Sequence, residues 1–250
     1  GLLVEMEVLP PDCLDGLLAM GELGLDGSIS PVVGALPAAI HANRFGLSLI
    51  CPHAQGQEAA RARPGLDIIA PKSLLALMNH LMGRQQIPRP KVRSTDLAQQ
   101  QPTLDLRDIK GQETAKRALE ITAAGGHNLL LIGPPGAGKS MLAARLAGLL
   151  PPMTAEEALS VTRVHSLAGT LAEDGLVYSR PYRDPHHSAS LPALVGGGTK
   201  AKPGEVTLAH LGVLFLDELP EFDRRTLEAL RQPIETGAVT VSRANAHITY

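Results

Sequence analysis

The chain of 250 residues is long enough for one large domain or two ordinary ones, and its 44% apolar content can form a sizeable core. Basic and acidic residues nearly cancel, 23 against 25, which excludes a globally basic nucleic-acid binder but not a local basic loop. The two cysteines, Cys13 and Cys51, are too far apart in sequence to indicate a disulfide scaffold, so we expect a reducing, cytoplasmic environment.

The sequence has no apolar stretch of the ~18 residues that would indicate a membrane span, so we expect no membrane partner. The chain starts at Gly1 rather than Met and ends in a strand-like stretch at 248–250. We therefore expect a fragment that is open at both ends.

The first 83 residues mix strand and helix signals and are predicted to form a smaller α+β domain. The predicted elements are a helix from about Pro37, short strands at 47–52 and 66–70, and a helix over 72–82. Residues 84–103 then become rich in Gln and Pro, with little apolar periodicity. Such a composition is typical of a linker between domains.

From residue 104 to residue 250 the pattern alternates between strands and helices. Helices are predicted at 111–124, 139–150 and 224–234, and buried strands at 128–132 and 213–216. This alternation predicts an α/β domain in which a parallel sheet carries helices on both faces.

A complete phosphate-binding loop pattern, G-x-x-x-x-G-K-[ST], lies between the first predicted strand and its helix. Its residues are Gly133, Pro134, Pro135, Gly136, Ala137, Gly138, Lys139 and Ser140. The glycines allow successive backbone N–H groups to face phosphate oxygens, and the following helix directs its positive end at the same place. Lys139 is predicted to reach the β- and γ-phosphates of ATP, and the Ser140 hydroxyl to bind Mg²⁺.

Two carboxylates, Asp217 and Glu218, follow the apolar run at 213–216. The carboxyl ends of strands are where ligands bind in open α/β sheets. We therefore predict that Asp217 holds Mg²⁺, directly or through water, and that Glu218 polarises the attacking water. A solvated acidic turn is the alternative, and the phosphate-binding loop nearby argues against it.

Four stretches of this second region together resemble the magnesium-chelatase-like AAA+ proteins, and in particular the bacterial competence ComM/YifB group. They are residues 126–128 (GHN), 180–187 (RPYRDPHH), 203–222 (PGEVTLAHLGVLFLDELPEF) and 230–235 (LRQPIE). The resemblance implies a P-loop AAA+ ATPase that assembles into a ring, expected to be a homo-hexamer. For ComM-type members it implies a DNA helicase that drives branch migration in natural transformation or recombination.

Residues 17–82 resemble the N-terminal domain of the same family, which shares the fold of the Lon protease domain (ribosomal S5 domain 2-like). Pro37 stands where active Lon-type proteases carry a lysine base, and the nearest lysine, Lys72, lies far along the chain. A serine nucleophile would lack its base, so we expect no peptidase activity.

Several basic residues are candidates for a DNA contact, the ring pore or a subunit interface. Arg180 and Arg183 belong to an unusual cluster with His186 and His187, for which a surface loop is the alternative and a metal site a weaker one. Arg243 lies where the resemblance places a pore hairpin that touches DNA. The glycine run at 196–198, followed by Lys200 and Lys202, fits either a phosphate contact or a flexible linker.

Two classes of function remain open at this point. One is a motor that moves DNA through a ring. The other is an ATP-dependent remodelling subunit that acts on a protein or metallo-cofactor partner, as chelatase subunits do. The resemblance also implies that the sensor, the arginine finger and the helical lid lie beyond residue 250. An arginine finger supplies roughly 10³–10⁵ in rate, so we expect the 250-residue chain alone to hydrolyse ATP poorly.

Overall fold

The computed structural model describes residues 2–63, 65–91, 104–171, 176–197, 202–243 and 246–249, without the side chains of 241–243 and 246–248. The chain divides into two compact units, of which the first comprises Gly1–Thr95 and Gly169–Leu176. The second comprises Asp96–Ala168 and Val177–Tyr250. Within these ranges no helix is both long enough and apolar enough to cross a membrane.

The first unit contains short strands and helices that alternate along the chain. They are α1 (Leu2–Glu5), β1 (Leu17–Ala19), β2 (Glu22–Leu23), β3 (Ile29–Ser30), α2 (Ala35–Arg44), β4 (Ser48–Ile50), α3 (Gly56–Ala60), β5 (Ile68–Ile69) and α4 (Leu74–Leu81). Strands β1, β4 and β5 form a parallel sheet in that order, while β2 and β3 form an antiparallel pair.

The core of the first unit lies where α2 and α3 pack beside this sheet. Its fully buried members are small or branched residues that let helix and sheet approach closely: Ala35, Ala39, Ala42, Leu49, Cys51 and Ala59. The strands predicted at 47–52 and 66–70 and the helix predicted over 72–82 are confirmed, with Ser73 capping α4 through its side chain. Helix α2 begins two residues before Pro37, after Gly34 in a left-handed conformation with φ 94°.

Two side chains of α3 and the turn before it fix the start of α2. Glu58 accepts a hydrogen bond from the Leu36 N–H at 3.1 Å, and Gln55 accepts one from the Val32 N–H at 3.0 Å. These contacts satisfy backbone donors that the first turn of a helix and the segment before it leave unpaired.

The second unit contains longer helices and very short strands. They are α5 (Glu113–Gly125), α6 (Lys139–Leu149), α7 (Ala155–Ala168), β6 (Tyr182–Arg183), α8 (Leu191–Val195), β7 (Gly196–Gly197), β8 (Lys202–Pro203), α9 (Glu205–Leu208), β9 (Val213–Leu214), α10 (Arg224–Thr236), β10 (Thr240–Arg243) and β11 (Ala246–Thr249). The helices predicted at 111–124, 139–150 and 224–234 are therefore confirmed within two residues. Helices α5 and α6 share a core of Leu119 and Leu142, with Ile109 beside them.

The parallel pair β6–β9 places the two acidic residues that follow β9. Val213 donates its N–H to the Pro181 carbonyl and Phe215 donates to the Arg183 carbonyl, each at 2.8 Å. Gly212 permits this approach, because a β-carbon there would lie 2.0 Å from the Pro181 carbonyl oxygen. The strand predicted at 213–216 is confirmed at its first two residues, but residues 213–216 are half-buried rather than buried.

The buried strand predicted at 128–132 is wrong. No strand among the described residues pairs with this stretch, which carries no regular secondary structure. Most of its side chains are open to solvent, with Leu130 67% and Ile132 88% exposed, while Leu131 is partly buried against the core of Leu119 and Leu142. A strand is stabilised by hydrogen bonds to a neighbouring strand, and the apolar run alone does not supply one.

The linker predicted at 84–103 falls partly outside the described residues, which stop at 91 and resume at 104. Its first residues contact the first unit: Ile87 donates its N–H to the His80 ring at 3.0 Å, and Arg89 pairs with Asp67 at 3.1 Å.

Candidate nucleotide-binding site

The loop at 133–138 wraps in the way its glycines suggest. Gly136 and Gly138 have φ values of 77° and 83°, a region that residues with a side chain rarely adopt. Gly138 is the N-cap of α6, so the loop leads directly into the first turn of an eleven-residue helix. Backbone N–H groups in such a turn, together with the positive end of the helix, form a site for anions.

Lys139 lies folded back over the loop. Its Nζ donates to the carbonyl oxygens of Gly133 at 3.0 Å and Pro134 at 3.1 Å. Both bonds are exposed, and an ammonium group can exchange them for phosphate oxygens at little cost. Gln112, which sequence reasoning missed, supports the loop from the other side by donating to the Ala137 carbonyl at 3.2 Å.

A hydrogen bond joins the loop to the acidic pair. The Ser140 hydroxyl donates to Oδ2 of Asp217 at 2.8 Å, across 77 residues of sequence. Oδ1 of the same carboxylate accepts the Glu218 N–H at 2.9 Å. The structure therefore brings together Lys139, Ser140, Asp217 and Glu218, the four side chains predicted to act on phosphate, metal and water.

Lys139, Asp217 and Glu218 line one cleft of about 760 Å³. One wall is formed by residues 126–133 with Lys139, and the other by residues 212–220. The cleft lies within the volume range of small-molecule sites. Its apolar walls come from Leu129–Ile132 and Val213–Leu216, and its polar groups from the loop and the acidic pair.

Negative charge is concentrated at the acidic end of this cleft. The pKa of Asp184 is raised by burial and by the charge of Asp217. Burial and the same two carboxylates also raise the pKa of Tyr182. A cation bound at Asp217 would offset the part of both shifts that comes from the charge of Asp217, but not the part that comes from burial.

The arrangement fits ATP and Mg²⁺. The loop offers N–H groups and a lysine to phosphates, and Ser140 with Asp217 offers two oxygen ligands to a hard cation. Magnesium in such sites takes one or two protein ligands and completes its shell with water and phosphate oxygens.

Glu218 has a contact that its sequence neighbourhood does not reveal. Nδ1 of His187 lies 3.4 Å from Oε2 of Glu218. The sequence alone could not predict this contact, because the contact depends on the pairing of β6 with β9. That the cluster of His186 and His187 faces the pore or a neighbouring subunit stays a prediction. No group of three or more His, Cys, Asp or Glu side chains that could hold a metal is found in the part of the chain that is described.

Arg180 and Arg183 both have partners within the second unit. Arg180 donates to the carbonyls of Pro151 at 2.6 Å and Leu211 at 2.9 Å, and pairs with Glu157 at 3.3 Å. Arg183 forms a two-pronged ion pair with Glu205, at 2.5 and 2.7 Å. Contact with DNA or a neighbouring subunit stays a prediction for both.

The remaining candidates lie on two small hairpins. Arg243 ends β10, which pairs with β11 in an antiparallel hairpin whose connecting residues 244–245 lie outside the described residues. Gly196 and Gly197 form β7, which pairs with β8 at Lys202 and Pro203, while Gly198 and Lys200 lie outside the described residues.

The loop, the following helix and the acidic pair define a P-loop nucleotide-binding protein of the α/β class. Residues 105–250 match the family described as "Magnesium chelatase, subunit ChlI", and the chain belongs to that family.

Three relatives resemble the chain over most of its length. The uncharacterized protein YifB of Salmonella typhimurium is 49% identical over 249 residues, which cover 100% of this chain and 49% of YifB. The competence protein ComM of Haemophilus influenzae is 45% identical over 257 residues, which cover 100% of this chain and 50% of ComM. The uncharacterized protein Rv2897c of Mycobacterium tuberculosis is 42% identical over 243 residues, 96% of this chain and 48% of the relative. The chain thus spans about half the length of these relatives.

Proposed function

We propose that the full-length protein is an AAA+ ATPase that binds ATP with Mg²⁺ and hydrolyses it in the cleft of the second unit. The observation that carries the proposal is the 2.8 Å hydrogen bond between Ser140 and Asp217. It brings the helix that follows the phosphate-binding loop to the strand end that carries the acids. Both halves are required in P-loop NTPases.

Each side chain has a distinct task in this proposal. Lys139 releases the carbonyls of Gly133 and Pro134 and pairs with the phosphate chain instead. Ser140 and Asp217 would hold Mg²⁺, whose positive charge would offset the negative charge of the phosphate groups. Glu218, beside Asp217 but 66% exposed at its side chain, orients and polarises the attacking water.

Substitution of Lys139 tests the phosphate site in the full-length protein. Lys139→Ala is expected to weaken ATP binding at least about 100-fold, because a charged contact to two phosphates is lost. Titration with a fluorescent ATP analogue measures it, and Lys72→Ala, an exposed lysine of the first unit, is the matched control. Equal affinity of the two variants would contradict the proposed site.

Substitution of Glu218 separates binding from hydrolysis. Glu218→Gln is expected to keep ATP affinity and to lower kcat by about 10²–10⁴, the usual contribution of a general base. Glu221→Gln changes an exposed carboxylate on the 3-10 turn that follows Glu218 and should leave kcat unchanged. If binding disappeared together with hydrolysis in Glu218→Gln, the role given to Glu218 would be wrong.

We further propose that the full-length protein works as a cytoplasmic homo-hexameric ring and moves DNA during natural transformation or recombination. This rests on the likeness to ComM, which is named a competence protein, and on the hairpin β10–β11 that carries Arg243. A basic residue on a hairpin can follow a phosphate backbone without reading its sequence.

DNA-stimulated ATP turnover and strand displacement on a branched duplex test the motor. Arg243→Ala is expected to lower DNA-stimulated turnover several-fold and to leave basal turnover unchanged, because a phosphate contact acts on DNA binding alone. Arg117→Ala on the surface of α5 is the control. Gel filtration with light scattering in ATP measures the ring size.

The second candidate is an ATP-dependent remodelling subunit that acts on a protein or metallo-cofactor partner. The family match itself favours it, since the family description names magnesium chelatase. The two functions differ in what stimulates ATP turnover. If DNA leaves ATP turnover unchanged and the protein displaces no strands, the remodelling subunit is favoured over the motor.

We also propose that residues 1–83 form a Lon-protease-like domain without peptidase activity. In support, Pro37 lies within α2, where it offers no amine that could serve as a base. Degradation of casein by the full-length protein would contradict this.

A further inference from the structure

The Gln112 side chain joins the start of α5 to the phosphate-binding loop. Its Nε2 donates to the carbonyl oxygen of Ala137 at 3.2 Å, across 25 residues of sequence. Gln112 is the N-cap of α5, and its own carbonyl accepts a helical hydrogen bond from the Lys116 N–H at 2.9 Å. The donor therefore belongs to an element outside the loop.

Two contacts hold the segment that leads into Gln112. Ile109 is buried in the core that α5 and α6 share. Earlier in the segment, the Asp105 carbonyl accepts a hydrogen bond at 2.8 Å from the buried Arg145 of α6. Since α6 also begins at the loop, this segment and the loop are attached to the same helix. Gln112 can therefore act as a fixed donor toward the loop.

The donor holds the peptide unit between Ala137 and Gly138. The preceding unit is held because the Ala137 N–H donates to the Pro134 carbonyl at 3.3 Å. The following unit is held because the Gly138 carbonyl accepts the Leu142 N–H at 3.0 Å. Glycine lies on both sides of Ala137, with φ 77° at Gly136 and 83° at Gly138. Glycine adopts many backbone conformations at similar energy, so the loop sequence itself does not fix the orientation of this peptide unit.

The direction of this peptide unit matters for the binding of an anion. The peptide bond is trans, so the Ala137 carbonyl and the Gly138 N–H point in opposite directions. A carbonyl that is held toward Gln112 therefore turns the Gly138 N–H to the opposite side. N–H groups in such a loop attract phosphate oxygens, whereas a carbonyl oxygen in the same place repels them.

We infer that Gln112 is a positioning residue for the phosphate-binding loop: it holds the Ala137 carbonyl, so that the Gly138 N–H faces the phosphates of the bound nucleotide. The inference rests on the proposed function, because Gln112 acts only through the loop. A peptide unit that is not held would spend part of its time turned the wrong way, which lowers the apparent affinity for the nucleotide. The amide groups of such loops cradle phosphates that ATP and ADP share, so both nucleotides are expected to be affected alike.

The test compares Gln112→Ala with Thr114→Ala in the full-length protein. Gln112→Ala is expected to weaken the binding of ADP about three- to tenfold, the usual effect of one hydrogen bond. The KM for ATP is expected to rise by the same factor while kcat falls less than about twofold, because the phosphate contact is made in both the ground state and the transition state. Thr114→Ala changes an exposed, neutral side chain of the same helical turn and is expected to keep the wild-type values.

Two further variants separate the side chain of Gln112 from its backbone. The φ of Gln112 is 61°, which favours glycine, so Gln112→Gly relieves the backbone and still removes the donor. Gln112→Gly is expected to weaken ADP binding as much as alanine does, even if Gln112→Ala lowers the unfolding temperature. Gln112→Glu keeps the length and replaces the donor by an acceptor, so it is expected to bind ADP at least as weakly as alanine. An ADP affinity within about twofold of wild type in either variant would overturn the inference.

Inorganic pyrophosphate distinguishes a role at the phosphates from a role at the base. Its binding is measured by competition with a fluorescent ADP analogue. In Gln112→Ala it is expected to weaken by the same factor as the binding of ADP, because the loop contacts phosphate alone. If ADP binding weakened and pyrophosphate binding did not, Gln112 would act on the base or the sugar, and the inference would be wrong.

The inference and the proposed function fail in different ways. If Lys139→Ala binds ADP as tightly as the wild type, the proposed site and the role of Gln112 are both overturned. If Lys139→Ala loses ADP binding and Gln112→Ala keeps it, only the role of Gln112 is overturned.

Discussion

The two units use the same parallel pairing of strands with different results. In the first unit, β1, β4 and β5 form a continuous sheet, and the residues packed against it, such as Leu49 and Cys51, are fully buried. In the second unit, β6 and β9 pair over only two residues. The stretch 128–132 lines the cleft together with residues 212–220, and Leu130 is 67% exposed there. The apolar residues beside the parallel strands thus form a closed core in the first unit, whereas in the second unit those at 129–132 and 213–216 form the walls of a cleft.

The largest effect on stability that this comparison predicts concerns one leucine in each unit, the buried Leu49 and the exposed Leu130. Leu49→Ala is expected to lower the free energy of unfolding of the first unit by about 2–5 kcal/mol, because it opens a cavity in a filled core. Leu130→Ala, on the cleft wall, is expected to cost less than about 0.5 kcal/mol. An equal loss of unfolding free energy in the two variants would show that Leu49 and Leu130 are packed alike, which would remove the contrast between the units.

Cys51 provides the measurement for the first unit. Burial, with the negative charge of Glu58, raises the pKa of its thiol from 9.0 to about 12. A protonated, buried thiol does not react with alkylating reagents until the unit opens. The alkylation rate of Cys51 at increasing urea, with Cys13 replaced by Ser, therefore reports unfolding of the first unit. Since the folded pKa is the higher one, this thiol contributes stability below pH 9.0 that is lost as the pH rises toward about 12.

What the sequence predicted in both units was local. Helices α4, α5, α6 and α10 follow from apolar spacing and from end signals a few residues away. The phosphate-binding loop is a contiguous pattern, and its link to Asp217 follows from two patterns whose roles are complementary. These features need no knowledge of how distant segments meet.

What the sequence did not predict depends on distant segments. The run at 128–132 indicates a buried strand by composition, but a strand also needs a neighbour, and composition does not name one. The contact between His187 and Glu218 depends on β6 lying beside β9. Arg180 gives no signal either, because two of its acceptors are backbone carbonyls, which any residue could supply.

Arg180 is the second way to test the comparison, because it supports the second unit through polar contacts rather than an apolar core. Its side chain is 13% exposed and joins the end of α6, α7 and the turn at Leu211. Arg180→Met keeps the aliphatic length and removes the charged donor. It is expected to cost about 2 kcal/mol in the unfolding of the second unit, since two carbonyls lose a charged partner.

The same variant separates support of the fold from contact with DNA. Arg163→Met changes an exposed arginine on α7 and is expected to cost less than about 0.5 kcal/mol. Thermal unfolding followed by calorimetry measures both variants, and a filter-binding assay with DNA accompanies it. A lower DNA affinity of Arg180→Met at unchanged stability would return Arg180 to the pore or interface role predicted from its motif.

The smallest expected effect is the acid sensitivity of the second unit. Burial lowers the pKa of His165, and the positive charge of Arg183 adds to the effect, although Leu208 and Glu205 oppose it. Burial also lowers the pKa of His210. Since the folded pKa values lie below the ordinary histidine pKa of about 6.5, the fold favours neutral rings. The stability of the second unit is then fully present above about pH 6.5 and falls as the pH drops below it.

His165→Gln tests this dependence, because glutamine keeps a polar side chain that does not titrate. The unfolding temperature of the second unit should fall less between pH 7.5 and pH 5.5 in His165→Gln than in the wild type. His127→Gln, an exposed histidine after α5, is the control and should keep the wild-type slope. If the slopes of wild type and His165→Gln coincide, His165 does not carry the acid sensitivity of the second unit.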